Sequence, residues 1–244
     1  VANRRKEDNT ADLIRTGNER VLRARLSDAA FFWEQDKSKP LDSYLENLDN
    51  VTFYEGLGSV RQKADRIAKL AKALAPACKA DADIASRAAL LAKADLVTGM
   101  VGEFPELQGI IGGYYARHDG EADSVATAIA THYRPQGPAD DVPETPTAKA
   151  VALADKIDTL VGFFGVGAKP TGSKDPFALR RAALGVIRII LDGKLSLPLA
   201  TLLQKASENY RFDAVDVDLL PFIRDRLRVY LRDQNMRHDV VAAA

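Results

Sequence analysis

Apolar residues recur at every third or fourth position along most of this sequence, and this spacing constrains the fold more than any other feature. Between residues 59 and 75 they form one such stripe, at Val60, Ala64, Ile67, Ala71 and Leu74. A 3.6-residue period places these side chains on one face of a helix. The same pattern predicts helices at residues 83–100, 124–133, 147–164, 175–191 and 219–232, and one that begins at Pro198. Alternation typical of strands occurs only near residues 51–54, so the sequence predicts an all-α fold.

Proline and glycine mark the expected ends of these helices. Pro76 is expected to close the helix that begins near residue 59, because proline lacks the N–H that continues a helix. Glycines and a proline between residues 99 and 120 predict short helices joined by tight turns. A Gly/Pro/Lys loop at residues 165–174 leads into Asp175-Pro176, which predicts an N-cap followed by proline in the first helical turn.

Composition narrows the classes of function. The chain has 34 basic and 34 acidic residues and a formal net charge of zero, so a nucleic-acid surface must come from local clusters. The single cysteine, Cys78, excludes an intrachain disulfide and a cysteine-based zinc site, and it fits a reducing compartment. No apolar run approaches the roughly 18 residues of a membrane span. We expect a cytoplasmic protein with no membrane partner, and the first residue, Val1, favours a piece of a longer protein.

The sequence divides into three predicted parts. Residues 1–50 form an N-terminal segment whose long helix, at residues 17–36, carries several arginines and an aromatic group at residues 31–33. This helix either packs its aromatic residues on the domain or acts as a basic arm beside RNA. Residues 51–195 are expected to form a helical domain, and residues 196–244 are expected to form C-terminal helices.

Four blocks of sequence carry a resemblance to a known family. In chain order they are GNERVLRARLSDA at residues 17–29, EFPELQG at 103–109, YYAR at 114–117 and PTGSKDPFALRR at 170–181. These blocks resemble signature stretches of the beta subunit of the bacterial tetrameric glycyl-tRNA synthetase. They follow the order of that family and span most of the chain.

The resemblance implies a role in protein synthesis. Alpha and beta subunits of that family assemble and use ATP to attach glycine to its tRNA, and the adenylate-forming site lies on the alpha subunit. No catalytic residue and no cofactor is therefore expected in this chain. The beta subunit supplies tRNA binding, and its anticodon-binding domain is expected to follow this chain. The expected partners are glycine tRNA, the alpha subunit and the remaining beta-subunit domains.

Three further segments resemble the helices of HD-superfamily phosphohydrolases, which bind a metal through a His, a His-Asp pair and a later Asp. The resemblance places Lys63 at the first His, Ala92 and Lys93 at the pair, and Asp155 at the last ligand. An ammonium group has no lone pair for a cation. An HD-like helical bundle with flanking helices, a degenerate pocket and no metal is therefore expected. Lys63 and Lys93 either pair with Asp155 or hold an RNA phosphate or terminus.

The dipeptide His118-Asp119 offers another way to build a metal site. It precedes Gly120, so an exposed turn is the first interpretation. The alternative is a rescued metal site made from His118, Asp119, His132 and Asp155.

Basic residues around one loop are candidates for RNA contact. The loop at residues 168–175 lacks the Gly-Lys-Ser/Thr order and the preceding strand of a Walker A motif. It precedes an expected helix start with free N–H groups that suit a phosphate. The basic candidates around it are Lys169, Lys174, Arg180 and Arg181. Tyr114 and Tyr115, next to Arg117, could stack on an unpaired base, and Tyr115 and Arg117 are therefore candidates for RNA contact. The structural alternatives are a loop capped by Asp175 and a half-buried aromatic pair.

Three functions follow from these observations. The sequence favours a non-catalytic section of a ligase subunit that binds tRNA and supports the assembly. An active HD-type metal-dependent phosphohydrolase is the first alternative, and it would require stoichiometric metal. A purely structural domain for subunit assembly is the second.

Overall fold

The structure is a computed structural model that describes residues 11–210, 218–234 and 236. Over these residues the chain is helical apart from one antiparallel hairpin, which confirms the predicted all-α class. The helices are α1 (Ala11–Asp36), α2 (Val60–Cys78), α3 (Ala82–Leu91), α4 (Gly99–Glu103), α5 (Ile110–His118), α6 (Asp123–Thr131), α7 (Pro146–Gly165), α8 (Leu179–Asp192), α9 (Leu199–Glu208) and α10 (Leu219–Asp233). The hairpin strands are β1 (Thr52–Tyr54) and β2 (Gly58–Ser59), and 3-10 turns cover Leu41–Asn50, Ala94–Val97 and Pro105–Leu107.

Helix α7 lies at the centre of the fold. It contacts α2, α3, α6, α8 and α9, and it is buried over nearly all of residues 147–164. Leu153 and Leu160 are fully buried, and each such side chain stabilises the fold by roughly 1.5–3 kcal/mol. The hydroxyl of Thr145 accepts the N–H of Ala148 and caps the first turn. The prediction of this helix is confirmed.

The start of α2 is fixed by side-chain hydrogen bonds. The hydroxyl of Ser59 accepts the N–H of Gln62, and the side-chain oxygen of Gln62 accepts the N–H of Ser59. This reciprocal capping box satisfies two N–H groups that the helix leaves unpaired. Gly58 has φ 82°, and a Cβ atom there would collide with the side chain of Gln62. The cap places Lys63 at the first turn of α2, facing α7.

The C-terminal end of α2 differs from its prediction. Pro76 does not close the helix, which continues to Cys78. Lys79 follows in the left-handed conformation, with φ 59°, and its N–H donates to the carbonyls of Ala75 and Pro76. Proline removes one hydrogen bond from this helix without ending it, because Lys79 caps the turn that comes after.

The prediction of one continuous helix at residues 83–100 is wrong. Helix α3 ends at Leu91, and a 3-10 turn separates it from α4. Thr98 caps α4 with its hydroxyl, and the carboxylate of Asp36 accepts the first two N–H groups of that helix. These caps favour a new helix start over continuation of α3. As a result Lys93 lies at a corner of the chain, with φ −112° and ψ 0°, rather than inside a helix.

Helix α8 begins at Leu179, three residues after Pro176, which was its expected first residue. Asp175-Pro176 precedes the helix, which starts at Leu179 after Ala178, a residue with φ 55°. The carboxylate of Asp175 accepts the N–H groups of Leu179 at 2.8 Å and Arg180 at 3.0 Å. The expectation of free N–H groups at this helix start is therefore wrong, because a carboxylate already occupies them.

Helix α1 is longer than predicted and largely exposed. Phe32 and Trp33 pack against the core, and the ring of Trp33 stacks on that of Tyr115 with 5.4 Å between centroids. By contrast, Phe31 is 63% exposed. The guanidinium of Arg25 lies over the ring of Phe104, at 4.4 Å from its centroid. The aromatic group therefore divides between the core and the surface.

The boundaries at residues 50 and 195 stay predictions. The 3-10 turn Leu41–Asn50 contributes Leu41, Leu45 and Leu48 to the same core as α2. Helices α9 and α10 contact α7, and α10 also contacts α8. Parts of the predicted end segments lie outside the described residues, at 1–10, 211–217, 235 and 237–244. Within the described part, no helix combines the length and apolar character needed to cross a membrane.

Candidate functional site

Asp155, in the middle of α7, binds two lysines. The Nζ atom of Lys63, from α2, lies 3.1 Å from Oδ1, and the Nζ atom of Lys93 lies 2.9 Å from Oδ2. All three residues are buried, as is Ala92. Burial opposes ionisation of the carboxyl, but the two ammonium groups outweigh it and hold the pKa of Asp155 well below its usual value. The structure thus brings together the residues that the sequence placed at the degenerate pocket.

His132, which follows α6, is the next member of this cluster. Its Nε2 atom lies 2.8 Å from Nζ of Lys93, and its Nδ1 atom lies 2.6 Å from the carbonyl oxygen of Ile129. An ammonium group can only donate, so Nε2 is the acceptor and Nδ1 carries the proton. Burial, reinforced by the charge of Lys93, lowers the pKa of His132 to about 3. The ring is therefore neutral near pH 7.

Asp158, one turn further along α7, holds a second buried ion cluster. Its carboxylate lies 3.2 Å from Nζ of Lys63 and 2.9 Å from Nε of Arg66, and it accepts the hydroxyl of Tyr210 at 2.8 Å. Sequence reasoning missed Asp158 and Arg66 as site residues. Each stands three positions after a named candidate, Asp155 and Lys63 respectively, and residues at this spacing are neighbours on a helix surface. That spacing could have found them.

A cavity of about 400 Å³ adjoins Asp155. The charged side chains that line it are Lys63, Lys93, Asp155, Lys156 and Arg181. Its aromatic and amide lining consists of Phe53, Tyr133, Phe177, Gln108 and Gln136. The ammonium of Lys156 donates to the carbonyl oxygen of Tyr133 at 2.9 Å, and burial lowers the pKa of Lys156 to about 8. Arg181 and the degenerate pocket, which the sequence treated as separate, therefore line one cavity.

The other basic candidates near α8 make contacts within the chain. The ammonium of Lys169 lies 2.9 Å from the carboxylate of Asp218. The guanidinium of Arg180 donates to the carbonyl oxygens of Gly172, at 2.6 Å, and Lys174, at 3.5 Å. Arg180 thus stabilises the loop that precedes α8, whereas the side chain of Lys174 is exposed.

A family model described as glycyl-tRNA synthetase beta subunit matches residues 1–244, the whole chain. The chain belongs to this family. The resemblance seen in the four sequence blocks is confirmed.

Curated relatives are close in sequence. The glycine–tRNA ligase beta subunits of Ruegeria sp. (strain TM1040) and Phenylobacterium zucineum (strain HLK1) are each 54% identical to this chain, over 248 and 246 residues. That of Rhodospirillum centenum (strain ATCC 51521 / SW) is 53% identical over 249 residues. Each match covers 100% of this chain and 35% of the relative. The chain therefore spans about a third of the length of these beta subunits.

The YYAR block of this beta-subunit chain lies on α5, and its candidates differ. Tyr115 is 3% exposed, and its hydroxyl donates to Asp36 at 2.9 Å. The structure removes Tyr115 from the candidates for RNA stacking, because its ring is enclosed by the core. Its neighbour Tyr114 is 54% exposed. Arg117 is exposed and donates to Asp123 at 2.9 Å, so Arg117 stays a candidate.

The rescued metal site is wrong for this beta-subunit chain. His118 ends α5, and the carboxylate of Asp119 accepts a backbone N–H from the 3-10 turn at 2.6 Å. His132 and Asp155 do reach the pocket. There both contact the ammonium group of Lys93, so this group lies where a shared metal ion would have to bind. Across residues 11–210 and 218–234 there is no group of three or more His, Cys, Asp or Glu side chains that could hold a metal ion.

Proposed function

We propose that this chain is a non-catalytic section of a glycyl-tRNA synthetase beta subunit that binds glycine tRNA and supports subunit assembly. In this proposal the alpha subunit attaches glycine with ATP, and this chain holds no cofactor of its own. Its partners would be the tRNA, the alpha subunit and the remaining beta-subunit domains. The observation that carries the proposal is the family match over residues 1–244.

The chemistry of the pocket supports the non-catalytic part of the proposal. A divalent cation beside Asp155 would meet the ammonium groups of Lys63 and Lys93, which lie within 3.1 Å of that carboxylate. Neither group offers a lone pair, and both repel a cation. The metal-activated water that an HD-type hydrolase needs has no place to form there.

The distribution of charge supports a local RNA surface. The net charge is zero, so no overall field would hold RNA, and affinity would depend on a few side chains. Near the start of α8, Lys174 is exposed and Arg181 lines the open cavity. Arg180 has an intramolecular role in the loop, so its removal would test loop structure as well as contact.

Binding of this chain to glycine tRNA at low and moderate salt tests the proposal. We expect the double variant Lys174→Ala/Arg181→Ala to weaken binding. The plot of log affinity against log salt should also become less steep, by about one to two, because each phosphate contact releases counterions. The Lys169→Ala/Lys174→Ala variant should act in the same direction. The matched control is Lys69→Ala/Lys72→Ala, which removes two positive charges from exposed positions on α2.

The outcomes separate the two parts of the proposal. Absence of tRNA binding at low salt by the folded chain would overturn the RNA-binding part. Loss of affinity in the α2 control equal to that in the α8 variants would contradict the location of the surface. Stoichiometric metal together with phosphoesterase activity in the purified chain would overturn the non-catalytic part.

A further inference from the structure

The cavity beside Asp155 has an excess of positive charge. Its lining carries four cationic side chains, Lys63, Lys93, Lys156 and Arg181, and one carboxylate, that of Asp155. A second carboxylate, Asp158, lies next to Lys63 but is already paired with Arg66 as well. Lys63, Lys93 and Lys156 are buried, whereas Arg181 is exposed at the mouth of the cavity, and buried charges in proteins are normally paired. The imbalance indicates that the cavity suits an anion.

Counting donors shows which groups remain available to a ligand. An ammonium group has three N–H bonds. Lys63 donates hydrogen bonds to Asp158 and Thr159 and forms an ion pair with Asp155 at 3.1 Å, so its charge is already shared among groups of the protein. Among the described residues Lys93 faces two hydrogen-bond acceptors, Asp155 and His132, which leaves one donor, and its Nζ lies 3.9 Å from the centroid of the Tyr133 ring.

Lys156 and Arg181 retain more donors. The ammonium of Lys156 has one hydrogen-bond acceptor, the carbonyl of Tyr133, so two of its donors remain. The exposed Arg181 guanidinium makes no hydrogen bond or ion pair with the described residues, and all five of its N–H bonds remain. Three ammonium donors and one guanidinium fork thus surround the same cavity. Several acceptor oxygens on one atom, as in a phosphate, satisfy such a set, and arginine binds phosphate through two parallel hydrogen bonds.

The position of Lys156 is fixed by its neighbours. Its aliphatic chain passes over Gly185 of α8, where a Cβ atom would lie 2.7 Å from Cε of Lys156. Glycine at this position lets the lysine chain run between α7 and α8. Burial makes the charged form of this amine less favourable than in water, and a bound anion would offset that effect.

The rest of the cavity suits more than a bare anion. Phe53, Tyr133 and Phe177 add aromatic surface, and Gln108 and Gln136 add amide groups that can both donate and accept. The volume of about 400 Å³ lies in the range of small-ligand sites. Aromatic rings and amides beside a cationic group form the combination that binds a nucleobase and its phosphate.

We propose that this cavity binds a phosphate monoester of nucleotide size, with the phosphate held by Lys93, Lys156 and Arg181. The ligand is either a free mononucleotide or the terminal nucleotide of a phosphorylated RNA strand, which share this chemistry. The proposal does not depend on the tRNA-binding function, because the cavity is complete within this chain.

Calorimetric titration of the whole chain at low salt tests the proposal, with adenosine monophosphate and adenosine as probes. We expect the monophosphate to bind at least about tenfold more tightly than adenosine, because charge-assisted hydrogen bonds to the phosphate are lost with the nucleoside. This comparison needs no variant, so it stands even if a cavity substitution impairs folding. Equal affinity for the two probes, or no heat from the monophosphate up to millimolar concentration, would overturn the proposal.

Variants locate the phosphate within the cavity. Arg181→Ala and Lys156→Gln should each weaken binding of the monophosphate by about tenfold or more and leave adenosine unaffected. Lys69→Ala, which removes one positive charge from an exposed position on α2 outside the cavity lining, is the matched control and should have no effect. Unchanged affinity in both cavity variants, with the fold intact, would overturn the assignment.

Two oligoribonucleotides that differ only in a 5′-phosphate distinguish the sources of the ligand. Tighter binding of the phosphorylated strand than of the monophosphate, lost in Arg181→Ala, supports an RNA end as the ligand. Binding of the monophosphate with no preference between the strands supports a free nucleotide. Loss of glycine tRNA binding through Lys174→Ala/Lys169→Ala with retained monophosphate binding would show that the two surfaces act independently.

Discussion

Asp155 and Asp95 are buried carboxylates in the same helical bundle, and they are held in opposite ways. Asp155 lies between two ammonium groups, which keep its pKa well below the usual value against the effect of burial. Asp95 is held by neutral donors, the N–H groups of Gly109 at 2.5 Å and Gly112 at 3.2 Å. Burial raises the pKa of Asp95 to about 6, and these N–H groups, together with the more distant charge of Lys93, only partly oppose it.

The difference shows what kind of donor stabilises a buried anion. Two ammonium groups in direct contact outweigh desolvation, whereas two backbone N–H groups at the start of α5 do not, even with the charge of Lys93 nearby. The cationic region is consequently expected to lose stability in acid, and the Asp95 region is expected to gain it. The following substitutions test this contrast, in order of decreasing expected effect.

Replacement of Asp155 should have the largest effect. Asp155→Asn removes the charge that Lys63 and Lys93 share and leaves two buried ammonium groups without their main partner. Breaking a buried ion pair in this way costs about 3–5 kcal/mol of unfolding free energy. Urea denaturation near neutral pH measures the loss. A triple variant, Lys63→Met/Lys93→Met/Asp155→Leu, should recover most of it, because no charge is then left unpaired. A loss below about 1 kcal/mol in Asp155→Asn would show that Asp158 holds Lys63, and His132 holds Lys93, without the charge of Asp155.

The second-largest effect is expected at His132, in the pH dependence of the unfolding free energy. Its pKa falls from 6.5 to about 3 on folding because of burial and the charge of Lys93, so the folded state favours the neutral ring. Its contribution to stability is therefore present above pH 6.5 and is lost as the pH falls towards 3. Gln at this position offers an oxygen to Lys93 and cannot take a proton. We expect the difference in unfolding free energy between the parent and His132→Gln to shrink by about 3 kcal/mol from about pH 7 to about pH 4.

Urea denaturation across this pH range measures that difference. A constant difference at all pH values would contradict a buried neutral histidine. It would mean that the ring titrates normally in the folded chain.

The stability contributed by Asp95 should change with pH in the opposite direction to that of His132, and by a smaller amount. The pKa of this carboxyl rises from 3.8 to about 6 on folding, chiefly because of burial. Its contribution to stability is therefore present below pH 3.8 and is lost as the pH rises through about 6. Asp95→Asn keeps an oxygen for Gly109 and Gly112 and removes the titration. We expect the variant to gain about 2 kcal/mol relative to the parent on going from about pH 4 to about pH 7. A relative loss over that range would contradict the assignment.

The contrast between these regions was only partly visible in the sequence. Helical periodicity predicted α2 and α7, and alignment of three segments with HD-type helices placed Lys63, Lys93 and Asp155 in one pocket. Periodicity does not report where a cap starts a new helix, and the break after Leu91 that carries Lys93 to a corner was therefore missed. The sequence suggested His132 only as a metal ligand. The sequence holds no sign that an ammonium group would occupy its free nitrogen.

The smallest effect is expected at an exposed lysine–aspartate pair. Lys72 and Asp83 approach within 2.7 Å, closer than the two lysines of the buried cluster come to Asp155. The side chains of Lys72 and Asp83 are, however, 58% and 86% exposed. Water already solvates both charges and screens their attraction, so loss of one partner leaves no buried charge unpaired. Asp83→Asn should leave the urea midpoint unchanged at about 0.15 M salt, which makes it the control for Asp155→Asn. If Asp83→Asn were as destabilising as Asp155→Asn, short distance rather than burial would account for the cost of losing a carboxylate, and the comparison between the buried regions would lose its physical basis.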